Sequence, residues 1–377
     1  MRLTRVRAWN FKSFRELDIR LDPLNIVIGA NASGKSNFVA LFQFLRDIVE
    51  SGLDNAVQMQ GGPLYLRNMN CGDQSLTIEL STETGVRGPG TGSEPSQSKY
   101  RFSLALDRGQ KASVVEDEIH RPSFSVTRGD AGYHFEGQDH VARTFVEMMN
   151  SRQQADERLL LETLVGYTHP FGGVRSIGVY DIDPKAPKTG VRAGKSDLEP
   201  NAGNLAIALE RILSDSDHRR DLLNLLKHAL PFARDLQTQR EADGTLLFHL
   251  REKFSEAAIP AEFLSDGTID VLALLAILYF ERKSLVIIEE LERNLHPSLV
   301  ATFVDLLKEA SANRQILVTT HNPEVVRYAD PDQLLLISRD EAGCSHAVRP
   351  VDSDQVKKFL ADDLTVHELY LTNLLEV

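Results

Sequence analysis

The sequence predicts an α/β fold, with a mixed N-terminal β lobe, a helical insertion and a parallel sheet flanked by helices. Two observations carry this prediction. A glycine-rich loop lies between the apolar run Leu24 to Ile28 and a helix-like stretch from Asn37 to Glu50. From Arg234 onward, short apolar strands alternate with helices, the order that is typical of a parallel sheet covered by helices.

The individual elements follow from hydrophobic periodicity and from glycine and proline positions. Residues 51–73 read as an irregular connection, and the Gly/Pro/Ser-rich stretch 84–98 reads as a mobile loop. The predicted strands are Leu3 to Trp9, Leu17 to Leu21, Leu24 to Ile28, Leu76 to Leu80, Tyr100 to Leu106, Ser113 to Ile119, Val174 to Tyr180, Leu246 to Leu250, Leu285 to Ile288, Gln315 to Val318 and Gln333 to Ile337. Beyond the first helix, the predicted helices are Val141 to Val165, Asn204 to Leu230 as a pair, Asp270 to Phe280 and Pro297 to Ala310.

The composition is that of a soluble globular protein. The chain has 377 residues, of which 42% are apolar and 25% charged. Its longest apolar run, Val271 to Phe280, is too short to cross a bilayer, and the N-terminus lacks the apolar core of a signal peptide. Two cysteines indicate neither a disulfide framework nor a cysteine-rich zinc site. These features predict a cytoplasmic protein without a membrane partner.

The formal net charge is −12, which argues against a protein that coats nucleic acid through bulk charge. Two local basic segments keep DNA contact open. The first is the opening strand region, with Arg2, Arg5, Arg7, Lys12, Arg15 and Arg20. The second is the loop from Lys185 to Lys195. Each segment also fits a solvated edge or loop.

The glycine-rich loop, Gly29 to Ser36, has the pattern GxxxxGK[ST] between a strand and a helix, which predicts a nucleoside triphosphate site. Backbone N–H groups of such a loop surround the phosphates. Lys35 is expected to reach the β- and γ-phosphates, and Ser36 to ligate Mg²⁺. The predicted nucleotide-binding residues here are Asn31, Ala32, Ser33, Gly34, Lys35, Ser36 and Asn37.

Further motifs follow in a fixed order. Ser265 and Gly267 open an apolar helix and indicate a second anion site. The strand Leu285 to Ile288 ends in two acids, of which Glu289 is expected to hold Mg²⁺ and Glu290 to orient the attacking water. His321 ends the next buried strand and is expected to contact a γ-phosphate.

The ordered set GANASGKSN, LSDGT, VIIEELERNLHP and TTHNP resembles the ABC-type ATPase heads of the RecF, SMC and OLD-nuclease lineage, within the bacterial AAA/ABC ATPases. The resemblance covers residues 1–50 and 260–340. It implies a P-loop NTPase with an N-terminal ATPase lobe (1–138), a mainly helical insertion or lid (139–232) and a C-terminal lobe with the remaining motifs (233–377).

The same resemblance implies a site that is shared between two copies. Ser265 and Gly267 would act in trans on ATP held by Gly34, Lys35, Ser36, Glu289, Glu290 and His321 of the other copy, with Glu290, His321 and Lys35 as the catalytic residues. Three departures put the hydrolysis rate in question. Asp266 stands where the signature has a glycine, Glu289 replaces an aspartate, and Leu291 replaces a proline that is common after the two acids. No glutamine can be assigned to the Q-loop.

The resulting prediction is an ATP-hydrolysing switch that uses ATP and Mg²⁺, dimerises on ATP and acts in DNA repair or antiphage defence. A separate effector protein is the expected partner, and a higher oligomer is left open. The alternative is a nucleotide-bound scaffold or sensor with little turnover. A nuclease of the OLD type is disfavoured, because the segment after His321 is short for the TOPRIM domain such proteins carry. A transporter ATPase is disfavoured by the RecF-like start.

Overall fold

The computed structural model describes residues 2–70, 72–84, 96–106, 112–130, 132–151, 158–164, 171–192, 194, 196–354, 356, 368 and 370. The chain divides into two compact units. The described residues of the first unit lie in Met1–Ile177 and Pro331–Asp362, and those of the second lie mainly in Gly178–Asp330. The three-part division by residue number stays a prediction.

The strands are β1 (Arg2–Phe11), β2 (Phe14–Arg20), β3 (Leu24–Ile28), β4 (Ser75–Thr84), β5 (Ser96–Leu106), β6 (Ala112–Arg121), β7 (Phe124–Gly129), β8 (Gly132–Gly137), β9 (Ile177–Tyr180), β10 (Ala233–Arg240), β11 (Leu246–Glu252), β12 (Ala258–Pro260), β13 (Leu285–Ile288), β14 (Gln315–Thr320), β15 (Leu334–Arg339) and β16 (Ser345–Val348). The α-helices are α1 (Lys35–Ser51), α2 (Leu53–Met59), α3 (Pro63–Leu66), α4 (His140–Ser151), α5 (Leu160–Leu164), α6 (Leu205–Ser214), α7 (Ser216–Ala229), α8 (Asp266–Leu275), α9 (Pro297–Ser311) and α10 (Pro323–Tyr328).

The first unit is built on a mixed sheet with strand order β8-β7-β6-β5-β4-β1-β2-β16-β15-β3. From β8 to β2 each strand pairs antiparallel with the next. Strand β2 then pairs in parallel with β16, β16 pairs antiparallel with β15, and β15 pairs in parallel with β3. All five residues of β3 are buried, as expected for a strand covered on both faces. Helix α1 packs its aromatic side chains against the sheet, with Phe38 near Phe14 and Phe44 near Phe11. This packing fixes the start of α1 at the end of the glycine-rich loop.

The second unit contains the parallel pair β13–β14, and β9 lies beside β13. All residues of β13 and β14 are buried. A separate antiparallel sheet has the order β10-β11-β12. Helix α8 is apolar nearly all round, and its last turn widens into π-helix over Ala276–Phe280. Because β13 and β14 are parallel, the residues that follow them meet at one edge of the sheet.

Some predicted elements need correction. The connection 51–73 contains the helices α2 and α3, and the predicted helix at Asp270 begins earlier, at Asp266. The strands β7, β8, β10, β12 and β16 were not predicted. Val174 belongs to a 3₁₀ turn, so β9 begins at Ile177. The helix predicted over Val141 to Val165 is observed as α4 and α5, and residues 152–157 between them are outside the described part.

The predicted loop 84–98 also falls mostly on residues outside the described part. Within the described residues, none of the helices combines the length and apolar character that crossing a membrane requires.

Candidate nucleotide site

The glycine-rich loop lies in the first unit and joins β3 to α1. Ala32 and Gly34 both adopt positive φ angles, 64° and 116°, which curl the backbone ahead of α1. Lys35 folds over the loop, and its Nζ donates to the carbonyl oxygens of Gly29 and Ala30 at 2.8 Å each. Asn31 and Ser36 are exposed. The loop therefore presents the form that cradles phosphates, with the ammonium group inside it.

A buried set of hydroxyl and amide groups braces the loop from below. Asn37 donates through Nδ2 to Ser13 Oγ at 2.8 Å, and Ser345 Oγ lies 2.8 Å from the same oxygen. Ser345 Oγ also lies 2.6 Å from the carbonyl oxygen of Ser33. A Cβ added at Gly34 would come within 2.3 Å of Ser345 Oγ, so only glycine fits there. Ser345 was missed by sequence reasoning, because it lies on β16, more than 300 residues from the loop.

The two predicted acids of the second unit lie where β13 ends. Glu289 donates its backbone N–H to the carbonyl of Tyr180 at 2.8 Å, which extends the strand pairing with β9. Glu290 donates its backbone N–H to Thr319 Oγ1 at 3.0 Å and has a φ of 48°. A non-glycine residue in this left-handed region costs backbone free energy, which is typical of functional positions. The bend turns the Glu290 side chain out of the strand direction.

The Glu290 carboxylate is held by a neighbouring arginine. Its Oε2 accepts from Arg293 Nε at 2.9 Å and from Arg293 Nη2 at 2.6 Å. Arg293 also donates through Nη1 to Asp181 Oδ1 at 2.7 Å. The hydrogen bond to Glu290, followed by the charges of both acids, raises the pKa of Arg293, so the guanidinium is permanently charged.

His321 follows β14, at the same edge as Glu290, and it has a partner that the sequence did not reveal. Glu292 Oε1 accepts the backbone N–H of His321 at 3.0 Å and lies 3.3 Å from His321 Nδ1. The Glu292 side chain is only 7% exposed, whereas that of His321 is 47% exposed. Glu292 thus orients an imidazole whose remainder faces solvent. The sequence feature that could have indicated a role for Glu292 is its position two residues after Glu290.

The signature residues also lie in the second unit, at the start of α8. Ser265 caps the helix by accepting the backbone N–H of Thr268 at 3.2 Å. A Cβ at Gly267 would come within 2.7 Å of the Asn294 carbonyl oxygen, so the signature packs directly on the loop after β13. Asn294 in turn donates through Nδ2 to Asp270 Oδ2 at 3.0 Å.

The structure thus groups the predicted residues in two sets. The first unit holds those from Asn31 to Asn37, and the second holds Ser265, Gly267, Glu289, Glu290 and His321. Their individual roles stay predictions.

Ser36 and Glu289 offer the oxygen ligands that Mg²⁺ prefers. Among the described residues, no cluster of three or more His, Cys, Asp or Glu side chains could hold a metal ion.

Four arginines of the opening basic segment are paired with acids. Arg5 forms a bidentate pair with Asp18 at 2.6 Å. Arg2 contacts Asp22, Arg7 contacts both Asp18 and Glu79, and Arg20 contacts Asp352. These pairs neutralise much of the charge that a DNA groove would need. Of the second basic segment, Lys195 lies outside the described residues.

Comparison with known protein families shows the family of ATPases to which the chain belongs. A family described as "AAA domain, putative AbiEii toxin, Type IV TA system" matches residues 24–163 and 175–327, which is most of the chain. The chain belongs to this family. The matched residues include the glycine-rich loop, both acids and His321.

Two curated relatives share shorter segments. The chain is 54% identical over 48 residues to the DNA replication and repair protein RecF of Desulforudis audaxviator, covering 12% of this chain and 13% of that protein. It is 32% identical over 83 residues to the Septu protein PtuA of Bacillus thuringiensis, covering 22% of this chain and 19% of that protein. The matches thus span less than a fifth of each relative.

Solved structures support the fold. An SMC head bound to the C-terminal winged-helix domain of ScpA matches with a TM-score of 0.57 at 16% identity, covering 92% of this chain and 98% of that one. The SMC head of Pyrococcus furiosus, with an extended coiled coil and a ScpA domain, matches with a TM-score of 0.50 at 14% identity, covering 96% and 98%. The chain therefore has the P-loop ABC-type ATPase fold, as predicted.

Proposed function

We propose that this protein hydrolyses ATP and dimerises when ATP binds. The observation that carries the proposal is the edge formed after β13 and β14, where Glu290 and the Glu292–His321 pair lie together. The glycine-rich loop supplies the phosphate cradle. The proposal rests on the family and on the chemistry of these side chains.

The residues have distinct tasks in the proposed reaction. The loop N–H groups and Lys35 hold the triphosphate, and Mg²⁺, when bound through Ser36 and Glu289, would neutralise phosphate charge. Glu290 accepts a hydrogen bond from water and orients it for attack on the γ-phosphorus. A bond forms from the water oxygen to the γ-phosphorus as the bond from that phosphorus to the bridging β-phosphate oxygen breaks. The water proton passes to Glu290 and from there to the phosphate product, and ADP and phosphate leave. His321 donates a hydrogen bond to the γ-phosphate.

The dimer follows from the same chemistry. Ser265 and Gly267 of a second copy would bind the γ-phosphate, so that ATP bridges two chains. Hydrolysis removes the bridging anion and opens the dimer, which makes ATP the ligand of a two-state switch.

The decisive experiment uses Glu290→Gln, which keeps the shape of the side chain and removes its charge. We expect ATP turnover to fall by about 100-fold or more and an ATP-bound dimer to accumulate, measured by steady-state phosphate release and analytical ultracentrifugation. Glu147→Gln, at an exposed acid of α4, is the matched control. Monomers at saturating ATP in the Glu290→Gln variant would contradict the dimer.

A specific observation favours a second candidate function. Because Arg293 engages one oxygen, Oε2, of the Glu290 carboxylate, turnover in the resting chain would be slow, as in a nucleotide-bound sensor that regulates a separate effector. The solved SMC heads bound to ScpA domains are consistent with a protein partner. The arginine–acid pairs make DNA a less favoured partner than a protein.

A further inference from the structure

A lysine from a distant loop neutralises the unusual acid of the signature. Lys188 Nζ lies 2.6 Å from Asp266 Oδ1, within the second unit. Asp266 is the residue that stands between Ser265 and Gly267 and that would carry a negative charge toward the γ-phosphate. The pair therefore changes the charge of the signature from negative to neutral.

The fold holds Lys188 at this place. Lys188 belongs to the 3₁₀ turn Ala186–Thr189, which packs against a second turn, Ala261–Phe263, just before the signature. Each turn also has a buried apolar residue, Pro187 in the first and Ala261 in the second, which anchors it to the protein interior. The lysine is presented by a packed turn, and its approach to Asp266 follows from that packing.

The electrostatic surroundings of the signature are acidic. Burial, aided by the charges of Asp266 and Asp183, raises the pKa of Asp270 to about 6. Arg293 is engaged by Glu290 and Asp181. A triphosphate that approached this face would meet several carboxylates, and among the described residues Lys188 is a cation that lies beside the signature and offsets them.

We propose that Lys188 is a phosphate-binding residue, which donates to the γ-phosphate of ATP held by a second copy of this chain. This inference rests on the proposed dimer. The Lys188 and Asp266 side chains are 21% and 38% exposed, so one side of their ion pair is open to solvent, where a competing anion can reach it. Phosphate oxygens accept strong charge-assisted hydrogen bonds from an ammonium group, so Lys188 turns toward them while Asp266 stays nearby.

The experiment uses the full chain with Glu290→Gln, in which ATP is retained. Adding Lys188→Met should weaken the ATP-dependent dimer by about tenfold or more, measured as the dimer dissociation constant by analytical ultracentrifugation. Lys185→Met, in the same loop but exposed, is the matched control and should leave that constant unchanged. Binding of a fluorescent ATP analogue to dilute monomers reports that the Lys188→Met chain is folded, and it should be unchanged.

A second pair of variants separates phosphate binding from simple charge compensation. In the Asp266→Gly background, Lys188→Met should still weaken the dimer, because the phosphate contact is lost. Lys188→Arg keeps a positive charge that can donate to phosphate, so it should largely retain the ATP-dependent dimer. It is the variant to measure if Lys188→Met does not fold.

Full recovery of the dimer in the Lys188→Met, Asp266→Gly chain would overturn the inference. Equal dimer constants for Lys188→Met and Lys185→Met would do the same. If the Glu290→Gln parent itself stays monomeric with ATP, the proposed dimer fails, and this outcome is distinct from the other two.

Discussion

Arg293 holds the Glu290 carboxylate through two hydrogen bonds, at 2.9 and 2.6 Å, and is itself tethered to Asp181 at 2.7 Å. Both hydrogen bonds end on one oxygen, Oε2, so one oxygen of the carboxylate proposed to orient water is already engaged by a guanidinium. The nearby positive charge also makes the carboxylate a weaker acceptor for water. If Glu290 orients water as proposed, release of Arg293 would precede the reaction.

We therefore expect Arg293→Ala to raise ATP turnover by about three- to tenfold, because Glu290 is then free to accept from water. Steady-state phosphate release measures this, with Arg219→Ala, at an arginine paired with Asp235 in the same unit, as the control. A fall in turnover would show that Arg293 assists the reaction instead of restraining it.

Lys35 is expected to be essential for nucleotide binding and dispensable for folding. Its ammonium donates to the loop carbonyl oxygens of Gly29 and Ala30, and Lys35 is not part of the buried apolar core, so Lys35→Ala should leave that core intact. We expect Mg-ATP to raise the thermal midpoint of the native protein and to leave that of Lys35→Ala unchanged. Lys227→Ala, on α7, is the control. An ATP-induced shift retained by Lys35→Ala would contradict the assignment.

Glu292 is expected to act on the reaction through His321. Glu292→Ala removes the acceptor of the His321 backbone N–H and the neighbour of its Nδ1, so the imidazole loses its orientation. Turnover should fall by about tenfold with little change in ATP affinity. Glu292→Gln keeps an oxygen acceptor and should recover most of the rate. If both variants lose ATP binding equally, Glu292 is a structural residue only.

We expect the stability of the first unit to depend on pH through the buried carboxyl group of Asp117. Its buried carboxylate accepts from Tyr100, Tyr133 and the backbone of Leu160, and burial raises its pKa to about 7. The folded chain therefore keeps a proton that the unfolded chain releases near pH 4. Stability should fall as pH rises from about 4 to 7, by at most about 4 kcal/mol from this group.

Asp117→Asn should remove this dependence, because an amide stays neutral. A flipped amide can still accept from Tyr133 and Leu160 through its oxygen and donate to the Tyr100 hydroxyl. The variant should gain thermal midpoint relative to the native chain at pH 8, but not at pH 5. The exposed Glu147→Gln change serves as the control. Parallel pH profiles for the native and Asp117→Asn chains would exclude Asp117 as the titrating group.

Sequence predicted best where burial alone sets the structure. β3 and β13 were predicted to the residue, because each is a run of residues buried on both faces. β10 was missed, because its sequence, ARDLQTQR, is largely polar and its place in a three-stranded sheet comes from β11. Propensity is weak for such strands, and tertiary pairing decides them.

In the candidate site, too, local sequence patterns predicted some features, whereas features that depend on tertiary packing were missed. The glycine-rich loop and the two acids follow from local pattern, since each motif is continuous in sequence. The pairs Lys188–Asp266 and Glu292–His321 join residues 78 and 29 positions apart, so they depend on how turns and strands pack. No periodicity in the sequence marks them.

The contact between Gly267 and the Asn294 carbonyl, together with the Asn294–Asp270 hydrogen bond, ties the start of α8 to the loop after β13. In the proposed dimer, that loop serves the ATP of its own chain, whereas α8 serves the ATP of the partner. A shift of the loop when one ATP is cleaved would thus move the signature residues that bind the other ATP. The two ATP sites of the dimer would then be coupled, and by thermodynamic reciprocity ATP at either site would change the affinity of the other site for ATP by the same factor.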